Sequence, residues 1–294
     1  MINRLFGSYL VESGRLTKSQ LEACFVEQSK VRVKLGLIAV SEKMMTVEQA
    51  DEVNHLQTII DKRFGDIAIE KGYLSEEQVS RLLGLQGNEY LSFAQTVTDK
   101  GFMTIADIEN ALSDYQKAYG FTATDIDALK SGDSDRIVPL YIPSECDPFQ
   151  LEHIQVALRL IVRLINNSVY IGRASIVSEL ECENFAYQSL EGDSDVTIGF
   201  SGPNTSLLSI ASPYAGEEFD NTDLDALDAV AEFTNNVNGL FATGLGNRLS
   251  LDMVPPKYSN KKTVLKAGKI CKIPVFIDNE EICMFSTWGE IITE

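Results

Sequence analysis

Gly7, Gly36, Gly65 and Ala94 lie 29 residues apart, and Thr17, Thr46, Ser75 and Thr104 keep the same offset. Gln28, Gln57 and Gln86 follow it too, with Tyr115 and Gln116 in the fourth copy, so that four copies fill residues 4–116. A unit this short cannot bury a hydrophobic face alone, so the copies must stack on one another. Each hydroxyl residue is followed three positions later by Gln20, Gln49, Gln78 or Asp107. That is the spacing of a capping box, in which two side chains satisfy orphan amides at a helix N-terminus. Just upstream, Gly14, Gly72 and Gly101 stand where a preceding helix would end on a left-handed residue, and the second copy has Lys43 there. Apolar residues recur at helical spacing after each cap, as in Leu21 with Phe25 and Val79 with Leu82 and Leu83. Each copy therefore predicts a short helix, a tight turn and a longer amphipathic helix.

On these residues the units resemble the cyclic di-GMP-binding MshEN repeats that precede type II secretion and pilus ATPases. The family motif of 24 residues begins Arg-Leu-Gly, carries a Gly before an apolar pair, ends in Gln and recurs after a five-residue spacer. Lys34 to Gln57, residues 58–62, then Arg63 to Gln86 reproduce that layout. The resemblance makes Lys34, Leu35, Gly36, Gln57, Arg63, Phe64, Gly65 and Gln86 the candidate nucleotide contacts, with cyclic di-GMP as the ligand. The Arg position holds Leu5, Lys34 and Ser92 in the other copies, and a Lys does not offer the planar fork of an Arg. Gly, Thr and Gln are also what a turn and a cap require, so a purely structural reading of the repeat stands beside the ligand-binding one.

Residues 117–148 lose the helical period and collect Gly120, Gly132, Pro139, Pro143 and Pro148. This places a helical repeat domain over residues 1–118, a linker over 119–136 and a second domain over 137–294. In the second domain a short strand is expected at Ile137–Ile142 and a helix from Phe149 to about Leu164. Strands are expected at Val169–Val177, Asn184–Leu190, Val196–Phe200 and Leu207–Ala211. A long helix follows from Thr222 or Asp223 to about Phe241, then strands at Leu249–Val254, Pro274–Ile277 and Ile282–Phe285. The expected fold class is thus two domains: an N-terminal all-α domain of four helical hairpins, and a C-terminal α+β domain with two long helices on a mostly antiparallel sheet.

On the long helix, Asp228, Glu232, Asn235 and Gly239 fall within about 60° of one another on a helical wheel. Leu227, Val230, Thr234, Val237 and Phe241 occupy the other side, so the helix should dock through these and present the polar stripe outward. Asp228-x-x-x-Glu232-x-x-Asn235, within Asp-Ala-Val-Ala-Glu-Phe-Thr-Asn-Asn-Val-Asn-Gly, resembles the active helix of the CheC and CheX chemotaxis phosphatases. The single Glu/Asn pair is the CheX pattern. Glu181 and Asn184 repeat the spacing by chance, in a strand region and without the preceding acid. Pro255 or Pro256 corresponds loosely to the family's later proline. The resemblance implies that Glu232 contacts the conserved lysine of a phosphorylated CheY-like receiver and that Asn235 holds the attacking water. Asp228 and Gly239 would then support, Gly239 by leaving room. It also implies a homodimer, and a magnesium ion held by the partner receiver. No cofactor or metal site of the chain's own is expected. The acidic run Glu217, Glu218, Asp220, Asp223, Asp225 lacks the Gly and terminal Glu of a calcium loop.

The remaining observations narrow the class. A net charge of −18, from 43 acidic and 25 basic residues, disfavours nucleic acid and anionic membrane surfaces as partners. Five cysteines without a Cys-x-x-Cys pair, together with no signal-peptide pattern, suggest reduced thiols and a cytoplasmic protein. His55 and His153 lack the partners of a nucleophilic or zinc site and read as structural or surface residues. The two resemblances imply one of two functions: an aspartyl-phosphate phosphatase regulated through its repeats, or a non-catalytic receiver-binding or nucleotide-sensing adaptor.

Overall fold

A computed structural model describes residues 2–28, 31–60, 62–166, 169–278 and 280–293. The chain divides into two compact units, residues 2–133 and 134–294. The first is helical: α1 (Ile2–Glu12), α2 (Lys18–Gln28), α3 (Leu35–Ser41), α4 (Val47–Ile59), α5 (Phe64–Glu70), α6 (Glu76–Gly84), α7 (Glu89–Asp99), α8 (Ile105–Tyr119) and α9 (Ala123–Ser131). Thr46, Ser75 and Thr104 each accept a hydrogen bond from the third helical amide, and Gln49, Gln78 and Asp107 bond back to the cap amide. Thr17 and Gln20 make the same reciprocal pair. Gly14, Gly72 and Gly101 have φ of 73°, 72° and 67°, and Lys43 is held at 56°. The turn is thus kept where its glycine is missing, although a side chain there costs roughly 1 kcal/mol. Phe6, Tyr90, Phe93 and Tyr115 are fully buried and form part of the core, with Phe6 and Tyr115 ring centroids 5.7 Å apart. Asp61 of the expected spacer lies outside the described residues.

The expected linker is largely folded. Residues 123–131 form α9, capped at Thr122 by a box with Asp125. Gly120 and Gly132, which had suggested a loop, are left-handed C-caps of α8 and α9. Ile126 and Leu129 are buried one turn apart, and the α9 carbonyl of Lys130 accepts from Asn88 Nδ2 at 2.8 Å. The division falls after Asp133 because α9 packs with the helices before it. No strand forms at Ile137–Ile142; α10 (Ser134–Ile137) runs instead into a 3₁₀ turn over Val138–Leu140. Pro139 has no amide to give a strand ladder.

The second unit continues with α11 (Pro148–Leu160), extended by a wider helical turn over Ile161–Ile165. Then come β1 (Val169–Ile171), β2 (Ser175–Cys182), β3 (Asn184–Gly192), β4 (Val196–Gly202), α12 (Leu208–Ala215), α13 (Leu224–Leu245), β5 (Leu251–Met253), β6 (Lys257–Ser259), β7 (Thr263–Ile277), β8 (Glu280–Trp288) and β9 (Ile292–Thr293). The strands form one antiparallel sheet ordered β1-β7-β8-β4-β3-β5; β2 and β9 also pair with β7, and β6 with β3. The expected strand at Leu207–Ala211 is in fact the start of α12. Leu207, Ile210 and Ala211 are buried at helical spacing, which a run of five residues could not distinguish from a strand. Along β3, Phe185 and Tyr187 enter one core with Leu180, Leu265, Ile270 and Phe285. Leu190, on the other parity, packs with Phe241 and Leu245 of α13. The two-residue period of a strand therefore turns Gln188 toward α13 as well.

Candidate functional site

Asp223 starts α13 by accepting from the Ala226 amide, and the helix runs for 22 residues. Leu227, Val230, Thr234, Val237 and Phe241 are all buried, and Phe233 packs on Phe200 of β4 and Tyr214 of α12. Burying a stripe this wide stabilises the helix by roughly 1.5–3 kcal/mol for each large side chain, and it fixes which face remains outside.

On that outer face Asp228 and Glu232 are exposed, and Asn235 and Gly239 are half-buried. Glu232 and Asn235 stand one turn apart on the solvent side, so a carboxylate and a carboxamide can reach one spot on a docked partner. The neighbouring Asp228 carboxylate holds the Tyr258 phenol above its usual pKa. Asp228 thus lies on the side of α13 that faces β6. A Cβ added at Gly239 would meet nothing within 4 Å, so the space beside Asn235 is open. Leu224 and Leu240, towards opposite ends of the same helix, are 56% and 46% exposed, an apolar margin suited to protein contact.

Three polar residues support Asn235 from beneath: Gln188 and Asn238, which the sequence did not single out, and His153, whose structural reading holds. Gln188 Nε2 donates to Asn235 Oδ1 at 2.9 Å and to the Val254 carbonyl at 2.8 Å. Asn238 Nδ2 donates to Gln188 Oε1 at 2.9 Å and to the Gln188 carbonyl at 3.2 Å. Asn238 Oδ1 lies 2.7 Å from His153 Nε2, and the imidazole stacks on Phe241 with centroids 4.2 Å apart. Gln188, Asn238 and His153 are buried, and burial pushes the His153 pKa down to about 4, opposed by the bond to Asn238. The strand parity that sets Gln188 on the helix side is the one signal that could have pointed to it.

The candidate nucleotide contacts of the helical unit mostly have internal uses. Lys34 pairs with Asp99 at 2.7 Å, and its amide donates to Gln95. Gly36 lies against the buried Phe64 ring, where an added Cβ would approach to 3.0 Å, and Gly65 lies against Val79 at 2.9 Å. Gln86 Nε2 donates to the Val33 carbonyl at 2.9 Å, and Gln57 Nε2 to that of Lys62 at 3.3 Å. Leu35 begins α3 half-buried, whereas Arg63, the α5 N-cap, and Gln57 are exposed.

Comparison with known proteins bears on the second unit. Among the described residues no helix is long and apolar enough to cross a membrane, and no curated protein matches the chain. A CheC-like superfamily protein from Shewanella sp. PV-4 aligns at 15% identity and TM-score 0.42, covering 49% of this chain and all of that one. CheX from Desulfovibrio desulfuricans aligns at 12% identity and TM-score 0.42, with the same coverage. The CheX–CheY–BeF3–Mg complex from Borrelia burgdorferi aligns at 19% and 0.38, over 48% of this chain and 98% of that chain. The chemotaxis phosphatase CheX family model matches residues 185–277. That span runs from β3 to the end of β7 and contains the whole of α13, so the C-terminal region of this chain is a CheX-like domain.

Proposed function

We propose that the CheX-like domain hydrolyses the aspartyl phosphate of a CheY-like receiver. The observation that carries this is the division of α13 into a buried apolar stripe and an outer stripe bearing exposed Glu232 one turn from Asn235. The acyl phosphate is already activated and its transition state is loose, so it needs a positioned water more than a strong base. A water oxygen attacks phosphorus in line and the bond from phosphorus to the aspartate oxygen breaks. The products are the free carboxylate and inorganic phosphate, which keeps the water's protons as dihydrogen phosphate or releases one of them to solvent as hydrogen phosphate. Asn235 holds the water, Glu232 pairs with the receiver's conserved lysine, and the magnesium belongs to the receiver. Asp228, on the same outer stripe, supports Glu232 and Asn235.

Charge reversal tests the docking half of this reading. Glu232→Lys is expected to weaken binding to a beryllofluoride-loaded receiver by at least about 10-fold, since it sets like charges face to face. Calorimetry giving the wild-type affinity would remove Glu232 from the interface. Gly239→Leu separates fold from docking. A Cβ at this position meets no neighbour within 4 Å and the substitution replaces a helical glycine, so urea unfolding should show stability unchanged or raised by up to about 1 kcal/mol. Turnover of phosphorylated receiver should nonetheless drop by about 10-fold or more, because a displacement of 1 Å at the reacting atoms is that costly. Undiminished turnover would mean the receiver docks elsewhere.

For the helical unit, a cyclic di-GMP site regulating the phosphatase is carried by the exposed Arg63 and Gln57. Calorimetric titration tests it, and no heat at high micromolar nucleotide would leave the repeat a structural device. The homodimer implied by the CheX resemblance is read by light scattering.

A further inference from the structure

The buried amides beneath α13 fix the direction of every hydrogen bond between His153 and the surface. Two backbone carbonyls, which can only accept, set the order. The Val254 carbonyl lies 2.8 Å from one end of the Gln188 carboxamide, so that end is the nitrogen, and Gln188 Oε1 faces Asn238. The Gln188 carbonyl, 3.2 Å from Asn238, likewise requires the Asn238 nitrogen there, which turns Asn238 Oδ1 to His153. His153 must then carry its proton on Nε2, and its fully buried Nδ1 has no partner among the described residues. At the outer end the Gln188 nitrogen points at Asn235, so Asn235 answers with Oδ1.

We infer that Gln188 is a positioning residue that turns the Asn235 carboxamide so that its oxygen faces inward and its NH2 is offered to the docked partner. Gln188 is 2% exposed and its donors are spent on Asn235 and Val254, so it cannot meet the partner itself. Turning Asn235 over would place two NH2 groups against each other inside a partly buried contact, leaving donors unpaired. The surface therefore presents a donor at this position. It holds a water by one lone pair and leaves the second free for attack, or it bonds a phosphoryl oxygen. The catalytic consequence rests on the phosphatase reading above; the orientation does not.

Two measurements test this. In wild-type protein, ring-nitrogen shifts should show His153 protonated at Nε2 at neutral pH. The Gln188 side-chain NH2 should exchange with solvent much more slowly than that of Asn235. An Nδ1-protonated ring, or a protected Asn235 NH2, overturns the orientation whether or not the protein is a phosphatase. Gln188→Glu offers an acceptor in place of the donor, and Gln188→Met offers neither. Each should lower kcat for phosphorylated receiver by about 10- to 100-fold with KM within about 2-fold, the signature of a lost geometry in the transition state. Unchanged kcat in either folded variant, or a raised KM alone, contradicts the positioning role. Absent wild-type turnover would sink the phosphatase reading while the exchange and tautomer data still decide the orientation. Should neither variant fold, those wild-type data decide the orientation, and the kinetic role is read from Asn238→Asp, which removes the donor to Gln188 Oε1 and should lower kcat in the same way, unchanged kcat contradicting the role.

Discussion

Asn235→Ala is expected to slow loss of phosphate from a receiver by about 100-fold relative to wild type, the usual cost of removing one positioned hydrogen-bonding group from a transition state. The residue is half-buried and takes part in no packing stripe of α13, so the variant should fold. Binding to the receiver should change little, because the proposed Glu232 contact is kept. Loss of activity with retained affinity is the pattern required of a group that acts on the water rather than on docking. Wild-type rates in the alanine protein would show that the carboxamide takes no part in the chemistry.

The second large effect is on stability and follows from His153. The folded domain holds this imidazole neutral, with its pKa at about 4 against an ordinary 6.5. Below pH 6.5 the unfolded chain takes up a proton that the folded chain refuses until about pH 4. Stability is therefore fully present above pH 6.5 and drains away as the pH falls towards 4, by about 3 kcal/mol in total and about 2 kcal/mol by pH 5. Trp288, the single tryptophan, stacks on Phe149 in this domain and reports its unfolding. Urea titrations at pH 7.5 and pH 5 should show the loss in wild type and a flatter profile in His153→Gln, which keeps a donor for Asn238 but does not titrate. An equal loss in both proteins would assign the pH dependence to other groups.

How much of this was legible in the sequence depended on the length over which a pattern ran. The α13 period extends over six turns from an Asp223 cap, and both of its stripes could be read from the period. The caps at Thr46, Ser75 and Thr104 were legible because a capping box is local chemistry within four residues. Short apolar runs were not: Leu207–Ala211 fits a strand or a helix equally until its neighbours are known. The strand β7 was expected only at Pro274–Ile277, because Lys266, Gly268, Lys269 and Lys272 dilute its earlier residues; its pairing with β2 and β8 holds them extended nonetheless. Gly120 and Gly132 read as loop residues, whereas they end α8 and α9. At the site, Glu232 and Asn235 share one helix and were found together. Gln188 lies 47 residues from Asn235 and His153 lies 85 from Asn238, and no local pattern links residues that only the packing of β3 and α11 on α13 brings into contact.

On the proposed reading, this surface turns over phosphorylated receivers instead of only binding them. The direct measurement mixes the full-length protein, well below stoichiometry, with a receiver phosphorylated by a small-molecule phosphodonor then removed, and follows inorganic phosphate with time. Release of many phosphates per protein molecule, at an initial rate proportional to protein concentration, is the predicted result. Decay at the receiver's own rate, with the protein demonstrably bound to it, would contradict the account and leave an adaptor in its place.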